Sequence, residues 1–304
     1  MSPFLNFLNF LNFVQQSFKN RHSMFLDSNS HDLYFALLKE KSCLIIDLDG
    51  VVYKGKQAIA GASEAIKKFR KIGKKIAFLT NNSASSTDAI LYKLHGFGIA
   101  CDRHEILTAA QASASFIAKH NIDRGHGILA IGSDALKAEV IDHGLKLADA
   151  DHCGTVLVGL DQKFDYATMN MAIAAITRGA SLVACNRDAN FPVENGQLMA
   201  GCGAMVGAIE AATGHRADFE IGKPNTLMLD LLADRMHIAI ADCLIIGDML
   251  ASDIMMANRA GLPSIWITDT DLNPDLNQDL NQDLPFPQPT FRMSSLDEMS
   301  KLLI

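Results

Sequence analysis

The chain has 304 residues, 49% of them apolar and 20% charged, with a formal net charge of −7. This is the balance of a globular protein that can bury a full core, with length enough for two modest domains. An acidic excess without clustered Lys and Arg argues against a nucleic-acid partner, because phosphate backbones are bound mainly through such clusters.

Near the start, FLNFLNFLNF (4–13) repeats Phe-Leu-Asn with a period of three. Asn6, Asn9 and Asn12 interrupt the apolar run and no basic residue precedes it. It therefore lacks the features of a signal peptide and the length of a membrane span, and no membrane partner is expected. Residues 1–40 read as an N-terminal extension of unassigned role, with Met24 as an alternative start. Six cysteines are scattered without a CxxC pair, which fits free thiols in a reducing cytoplasm.

From about residue 40 the chain alternates strand and helix. Strand 42–47 leads to a Gly-containing excursion, then helix 62–72, strand 75–80 and helix 86–95. Such βα alternation predicts a parallel sheet with helices on its faces. A second set follows: helix 105–120, strand 127–131, helix 134–142, strand 155–160 and helix 165–178. Strand 181–186 is expected to return the chain to the first sheet. Helices 203–213 and 225–236, strand 242–247, helix 252–260 and strand 264–268 then complete it. The expected fold class is α/β, with a core domain at 41–83 and 181–304 and an inserted α/β cap domain at 84–180. DLNPDLNQDLNQDL (271–284) reads as an acidic surface loop that lacks the glycine turn and terminal Glu of a calcium-binding EF-hand. Ser295-Leu-Asp-Glu298 resembles a capping box before a last helix.

Four segments carry candidate chemistry. In CLIIDLDG, Asp47 and Asp49 lie two residues apart in extended chain, so both face one side. One carboxylate can attack phosphorus while the other protonates a leaving oxygen and then activates water. Asp-Gly is equally at home as a turn after a strand. Thr80, Asn81 and Asn82 end the next strand and offer donors to phosphate oxygens, or simply cap the helix that follows. Lys223 is held extended before Pro224 at a helix start, where it can neutralise phosphate or be an ordinary surface lysine. Asp248 ends another apolar strand, where a carboxylate costs desolvation unless paired or metal-bound. Asp253 opens the next helix and can cap it. Asp161 in VGLDQ is a further candidate, with loop capping as its alternative role. If Asp47, Asp49, Asp248 and Asp253 converge, Lys223 alone cannot balance them, and a phosphate dianion needs a divalent cation beside it. Mg²⁺, held by one or two carboxylates plus phosphate, fits that need.

DLDGV, TNN, GKP and GDMLASD together resemble the four motifs of the haloacid dehalogenase (HAD) superfamily. The placement of the insert resembles subclass IIA, the NagD-like and p-nitrophenyl phosphatase group. The similarity runs from about residue 42 to 268 and takes in TVLVGLDQKFDY and ACNRDANFP. The resemblance implies a Rossmannoid core, Asp47 as nucleophile and Asp49 as general acid/base. It implies Mg²⁺ on Asp47, the backbone carbonyl of Asp49 and Asp248, with Asp253 behind these ligands. Thr80, Asn81, Asn82 and Lys223 would hold the phosphoryl group. It further implies a small phosphorylated metabolite as substrate, of the sugar phosphate or nucleotide class, and association of two copies through the cap. Phe191 stands where pyridoxal-phosphate phosphatases of the group carry His, which disfavours that substrate. A phosphate-binding regulatory protein and a phosphotransferase are the competing readings.

Overall fold

The computed structural model describes residues 28–192, 197–268 and 287–303. The Phe-Leu-Asn repeat and the 271–284 loop lie outside the described residues. Among the described residues no helix is long and apolar enough to cross a membrane.

The first strands are β1 Cys43–Ile46, β2 Tyr53–Lys54, β3 Gln57–Ala58, β4 Lys75–Thr80 and β5 Ile106–Thr108. Then come β6 Ile128–Ile131, β7 Thr155–Val158, β8 Ser181–Ala184, β9 Asn190–Pro192, β10 Leu198–Ala200 and β11 Phe219–Glu220. The chain finishes with β12 Cys243–Gly247, β13 Ser264–Ile267 and β14 Phe291–Met293. Six of them form one parallel sheet in the order β14-β13-β12-β1-β4-β5. A second parallel sheet has the order β11-β8-β7-β6. Two short antiparallel hairpins, β2–β3 and β9–β10, complete the described strands.

Both faces of the six-stranded sheet are covered, which is why its strands are near-continuous apolar runs rather than alternating ones. Cys43 and Ile45 of β1 point to one face with Ala77, Leu79 and Leu107. Leu44 and Ile46 point to the other with Ile76, Phe78 and Ile106. This is the period of two expected of extended chain. Helix 62–71 lays Ala62, Ala65, Ile66 and Phe69 onto the second face. The first face continues through Met228, Leu229 and Leu232 into the apolar cluster of the four-stranded sheet.

Strand order decides where a site can form. The chain builds β4 and β5 on one side of β1, then returns to build β12, β13 and β14 on the other. β1 is therefore the topological switch point, and its C-terminal end opens into the crevice that such sheets use for ligands.

Three expectations need correction. β8 does not return to the first sheet: Leu157 and Val158 pair with Val183 and Ala184, so the second sheet spans residues 128–220 instead of closing at 180. An apolar run states burial but not the partner strand, which is a non-local choice. The helix expected over 105–120 begins later, at Ala109; Ile106–Thr108 is a strand of the first sheet, and the Thr108 hydroxyl caps the helix by accepting from Gln111 N–H at 3.1 Å. The segment 84–108 thus ends in the first sheet. Finally, residues 28–40 are not a mere extension. Helix Ser28–Glu40 buries Tyr34, Leu37 and Leu38, and the Tyr34 hydroxyl donates to Met299 O at 3.0 Å. The last helix, Leu296–Lys301, is capped as expected by Ser295, which accepts from Glu298 N–H at 3.2 Å.

Candidate active site

Four strand ends converge. Asp47 follows β1, Thr80 ends β4, and Asp248 follows β12. Lys223 comes from the segment after β11, so it reaches the first sheet from the second. One oxygen from each of Asp47, Asp248 and Asp253 lies within 4.8 Å of the others. Lys223 Nζ donates to Asp47 Oδ1 at 2.5 Å, to Asp253 Oδ1 at 2.6 Å and to Leu79 O at 3.3 Å. Asp47, Lys223 and Asp253 expose 8%, 3% and 2% of their surface, so charge–charge forces act there with little screening.

The backbone sets this up. Asp47 N–H donates to Ile246 O at 2.8 Å, which fixes the exit of β1 against β12. Gly50 then turns with φ of 90°, and a Cβ there would lie 2.0 Å from Asp248 Oδ2. Only a residue without a side chain allows Asp248 to approach the Asp47 loop. Met249–Asp253 tightens into a π-type turn, where Asp253 Oδ2 accepts from Met249 N–H at 3.2 Å. Both oxygens of Asp253 are thereby engaged, one by the turn and one by Lys223. Within the trio, Asp47 and Asp248 are the carboxylates left to face a cation.

Thr80 Oγ1 accepts from Asn82 N–H at 3.1 Å, which leaves its own O–H as a donor. Asn81 grips Lys223 by both backbone atoms: its Oδ1 accepts from Lys223 N–H at 2.8 Å and its Nδ2 donates to Lys223 O at 3.0 Å. Asn82 takes the local of its two expected roles through its amide oxygen. Its Oδ1 accepts from Ala84 N–H at 2.9 Å and Ser85 N–H at 2.7 Å, the work of a turn former. Asp49 lies outside the carboxylate trio, and the charges of Lys93 and Lys54 act on its carboxyl. Asp161 Oδ1 accepts from Lys163 N–H at 2.9 Å, so it caps its own loop. Sequence reasoning assigned nothing to Asp188 or Asn186, although the structure packs both against Asn81. The signal was the Asn-x-Asp spacing immediately after a strand.

Burial and crowding of the carboxylates set the charge states of the site. Burial, then the repulsion of Asp253 and Asp248, holds the Asp47 carboxyl well above its ordinary range despite the opposing pull of Lys223. Burial and Asp253 push Asp248 up to about 7. Burial would lower Lys223, but Asp253 and Asp47 outweigh it and hold the ammonium protonated. Although Asp49 is exposed overall, desolvation by the surrounding loop raises its carboxyl, against the opposing effect of Lys93.

A haloacid dehalogenase-like hydrolase family model matches residues 44–146, and a second HAD-like hydrolase model matches residues 220–298. Sugar-phosphatase AraL of Bacillus subtilis is 35% identical over 222 residues, covering 73% of this chain and 80% of that protein. The chain belongs to the haloacid dehalogenase-like hydrolases. Among solved structures, the p-nitrophenyl phosphatase of Archaeoglobus fulgidus matches this HAD-like chain with a TM-score of 0.78 at 30% identity, covering 86% of this chain and 99% of that one. A glycerol phosphate phosphatase of Mycobacterium tuberculosis, in complex with magnesium, matches with a TM-score of 0.76 at 33% identity, covering 88% and 79%. The chain falls in the NagD-like, p-nitrophenyl phosphatase group of the family, and it is a phosphoric monoester hydrolase, the class to which the paired aspartates pointed.

The residues fit a hard divalent cation: oxygen donors only, more negative charge than Lys223 balances, and two carboxyls displaced upward by burial and by neighbouring carboxylates. A stability prediction follows. Asp248 binds its proton more tightly when folded than when unfolded, so its contribution is complete below its ordinary value of 3.8 and is lost as pH rises through about 7. Asp47 acts in the same direction. The loss from Asp248 is at most roughly 4 kcal/mol. The opposing group Glu210, held at about 2 first by its hydrogen bond from Arg187, gives way only below the ordinary range of glutamate. Between pH 5 and pH 7.5, the Tm of the chelator-treated protein should therefore fall. Added Mg²⁺ should raise Tm more at pH 7.5 than at pH 5. Calorimetry with an equal Mg²⁺ shift at both values would contradict this.

Proposed function

We propose that this protein is a Mg²⁺-dependent phosphatase that hydrolyses small phosphate monoesters, of the sugar phosphate class, through a phosphoryl group carried on Asp47. The observation that carries the reading is the placement of Asp47 at the switch-point strand end, gripped by buried Lys223 and facing Asp248. Asp47 attacks phosphorus in line with the leaving oxygen, and the P–O bond to the alcohol breaks with its electron pair going to that oxygen. Asp49, whose raised carboxyl retains a proton more readily, donates it to the departing alkoxide. In the second half Asp49 takes a proton from water, the water oxygen attacks phosphorus, and Asp47 is released with inorganic phosphate. Lys223, the Thr80 hydroxyl and the Asn81 backbone N–H hold the phosphoryl oxygens, while the Asn81 side chain and Asp253 orient Lys223.

Mg²⁺ held by Asp47, Asp248 and the backbone carbonyl of Asp49 would neutralise the dianion and help fix its orientation. The magnesium-bound glycerol phosphate phosphatase supports that choice of cation. Relatives described as sugar phosphatases support the substrate class. Association through the second sheet's domain and a cytoplasmic site complete the proposal.

The test is phosphate release from a panel of sugar phosphates, glycerol phosphate, nucleotides and p-nitrophenyl phosphate, with Mg²⁺ or with chelator. Mg²⁺-dependent release that matches the alcohol formed, with sugar phosphates preferred over nucleotides, is expected. No release above the chelated control on any compound sinks the reading. Less phosphate than alcohol would show transfer to an acceptor other than water.

A further inference from the structure

Lys223 can serve the reaction only if its backbone is fixed, because its ammonium must meet Asp47 Oδ1 and Asp253 Oδ1 together. That backbone is held by a single side-chain amide. Asn81 offers Oδ1 to Lys223 N–H and Nδ2 to Lys223 O. An amide can also be seated the other way round, and a flipped Asn81 would set N–H against N–H and oxygen against oxygen. Something must choose the orientation. The remaining Asn81 Nδ2 hydrogen is directed at Asp188, whose Oδ1 and Oδ2 both lie 3.1 Å from Nδ2. A carboxylate accepts and cannot donate, so it tolerates only the orientation that holds Lys223.

Asp188 is itself built into place. Its N–H donates to Asn186 Oδ1 at 3.0 Å, and Asn186 Nδ2 donates to Asn81 O at 2.7 Å. Arg187, between them, binds Glu210 through two nitrogens at 2.6 and 2.8 Å and Glu220 at 2.7 Å, which anchors the segment to the second sheet's domain. Gly222 lets the parts meet: a Cβ there would lie 2.6 Å from both Asn81 Oδ1 and Cys185 O.

We infer that Asp188 is a positioning residue for phosphoryl transfer, locking the Asn81 amide so that Lys223 is presented to Asp47. It thereby ties the segment after β8 to the reacting groups in the first sheet. The inference rests on the phosphatase reading of this same site.

Asp188→Asn, nearly isosteric but able to donate as well as accept, is the decisive variant. With p-nitrophenyl phosphate and Mg²⁺, kcat should fall by about 10- to 100-fold. Inorganic phosphate, followed by calorimetry, should bind more weakly, while Tm stays near that of the natural protein. In an Asn81→Ala background the same change should alter kcat by less than about twofold, because both act through one contact. Unchanged kcat and phosphate affinity in Asp188→Asn, or losses that multiply in the double variant, would overturn the inference. Phosphate binding is read without turnover. A natural protein that binds phosphate without hydrolysis would therefore sink the catalytic reading while the Asp188 comparison still decides this one.

Discussion

Replacing Asp47 by Asn is expected to lower kcat on p-nitrophenyl phosphate by about 10⁴- to 10⁶-fold, the scale of losing a nucleophile. Asn preserves the shape at the end of β1 and the Asp47 N–H bond to Ile246 O, so the fold should survive. The chelator-treated variant should be no less stable than the natural protein at pH 7.5. It loses the charge pairing with Lys223, though an amide oxygen can still accept from Nζ, and it also loses one of three carboxylates crowded within 4.8 Å. The Mg²⁺-induced rise in Tm should shrink, because one of its two available carboxylates is gone. Steady-state kinetics and calorimetry on one preparation check both halves. Turnover within tenfold of the natural enzyme would remove Asp47 from the reaction.

Lys223→Met should produce the second large effect, on activity and stability together. A donor aimed at developing charge is worth about 10²- to 10³-fold in kcat. Unlike Asp47→Asn, this change leaves buried Asp47 and Asp253 without their cation. Breaking a buried pair from one side costs about 3–5 kcal/mol. The loss should be smaller at pH 5 than at pH 7.5, because Asp47 already binds its proton more tightly in the fold. Lys223→Arg should not restore activity. The ammonium sits among three oxygens at 2.5, 2.6 and 3.3 Å, a cluster that a planar guanidinium cannot match. An Arg variant with natural kcat, or a Met variant with natural Tm, would show that Nζ is not the organising charge.

The chemistry was more legible in the sequence than its wiring. Asp47, Asp248 and Thr80 each follow or end an apolar run, and strand ends at a switch point must gather, so local pattern was enough to bring them together. Lys223 was legible for another reason: Pro224 fixes the backbone beside it. Asn82 stayed open because an Asn after a strand serves a turn and a phosphate equally well, and the Ala84 and Ser85 N–H contacts show the turn role of its Oδ1. Asp188 was out of reach because its meaning depends on Asn81, 107 residues away. The same limit explains β8, whose Leu182 and Val183 suit either sheet. Helix Ser28–Glu40 was hidden by the low-complexity run before it, although Tyr34, Leu37 and Leu38 recur at helical spacing and are buried.

Asp49→Asn treated with p-nitrophenyl phosphate and Mg²⁺, then quenched in acid and mapped by peptide mass spectrometry, should reveal whether the phosphoryl group rests on Asp47. Nitrophenolate leaves without needing a proton, so the first half-reaction should persist while water activation fails. A phosphoryl adduct should accumulate on the peptide bearing Asp47 and disappear with hydroxylamine, as an acyl phosphate does. Continued turnover with no adduct on that peptide, or an adduct fixed to another residue, would contradict the account.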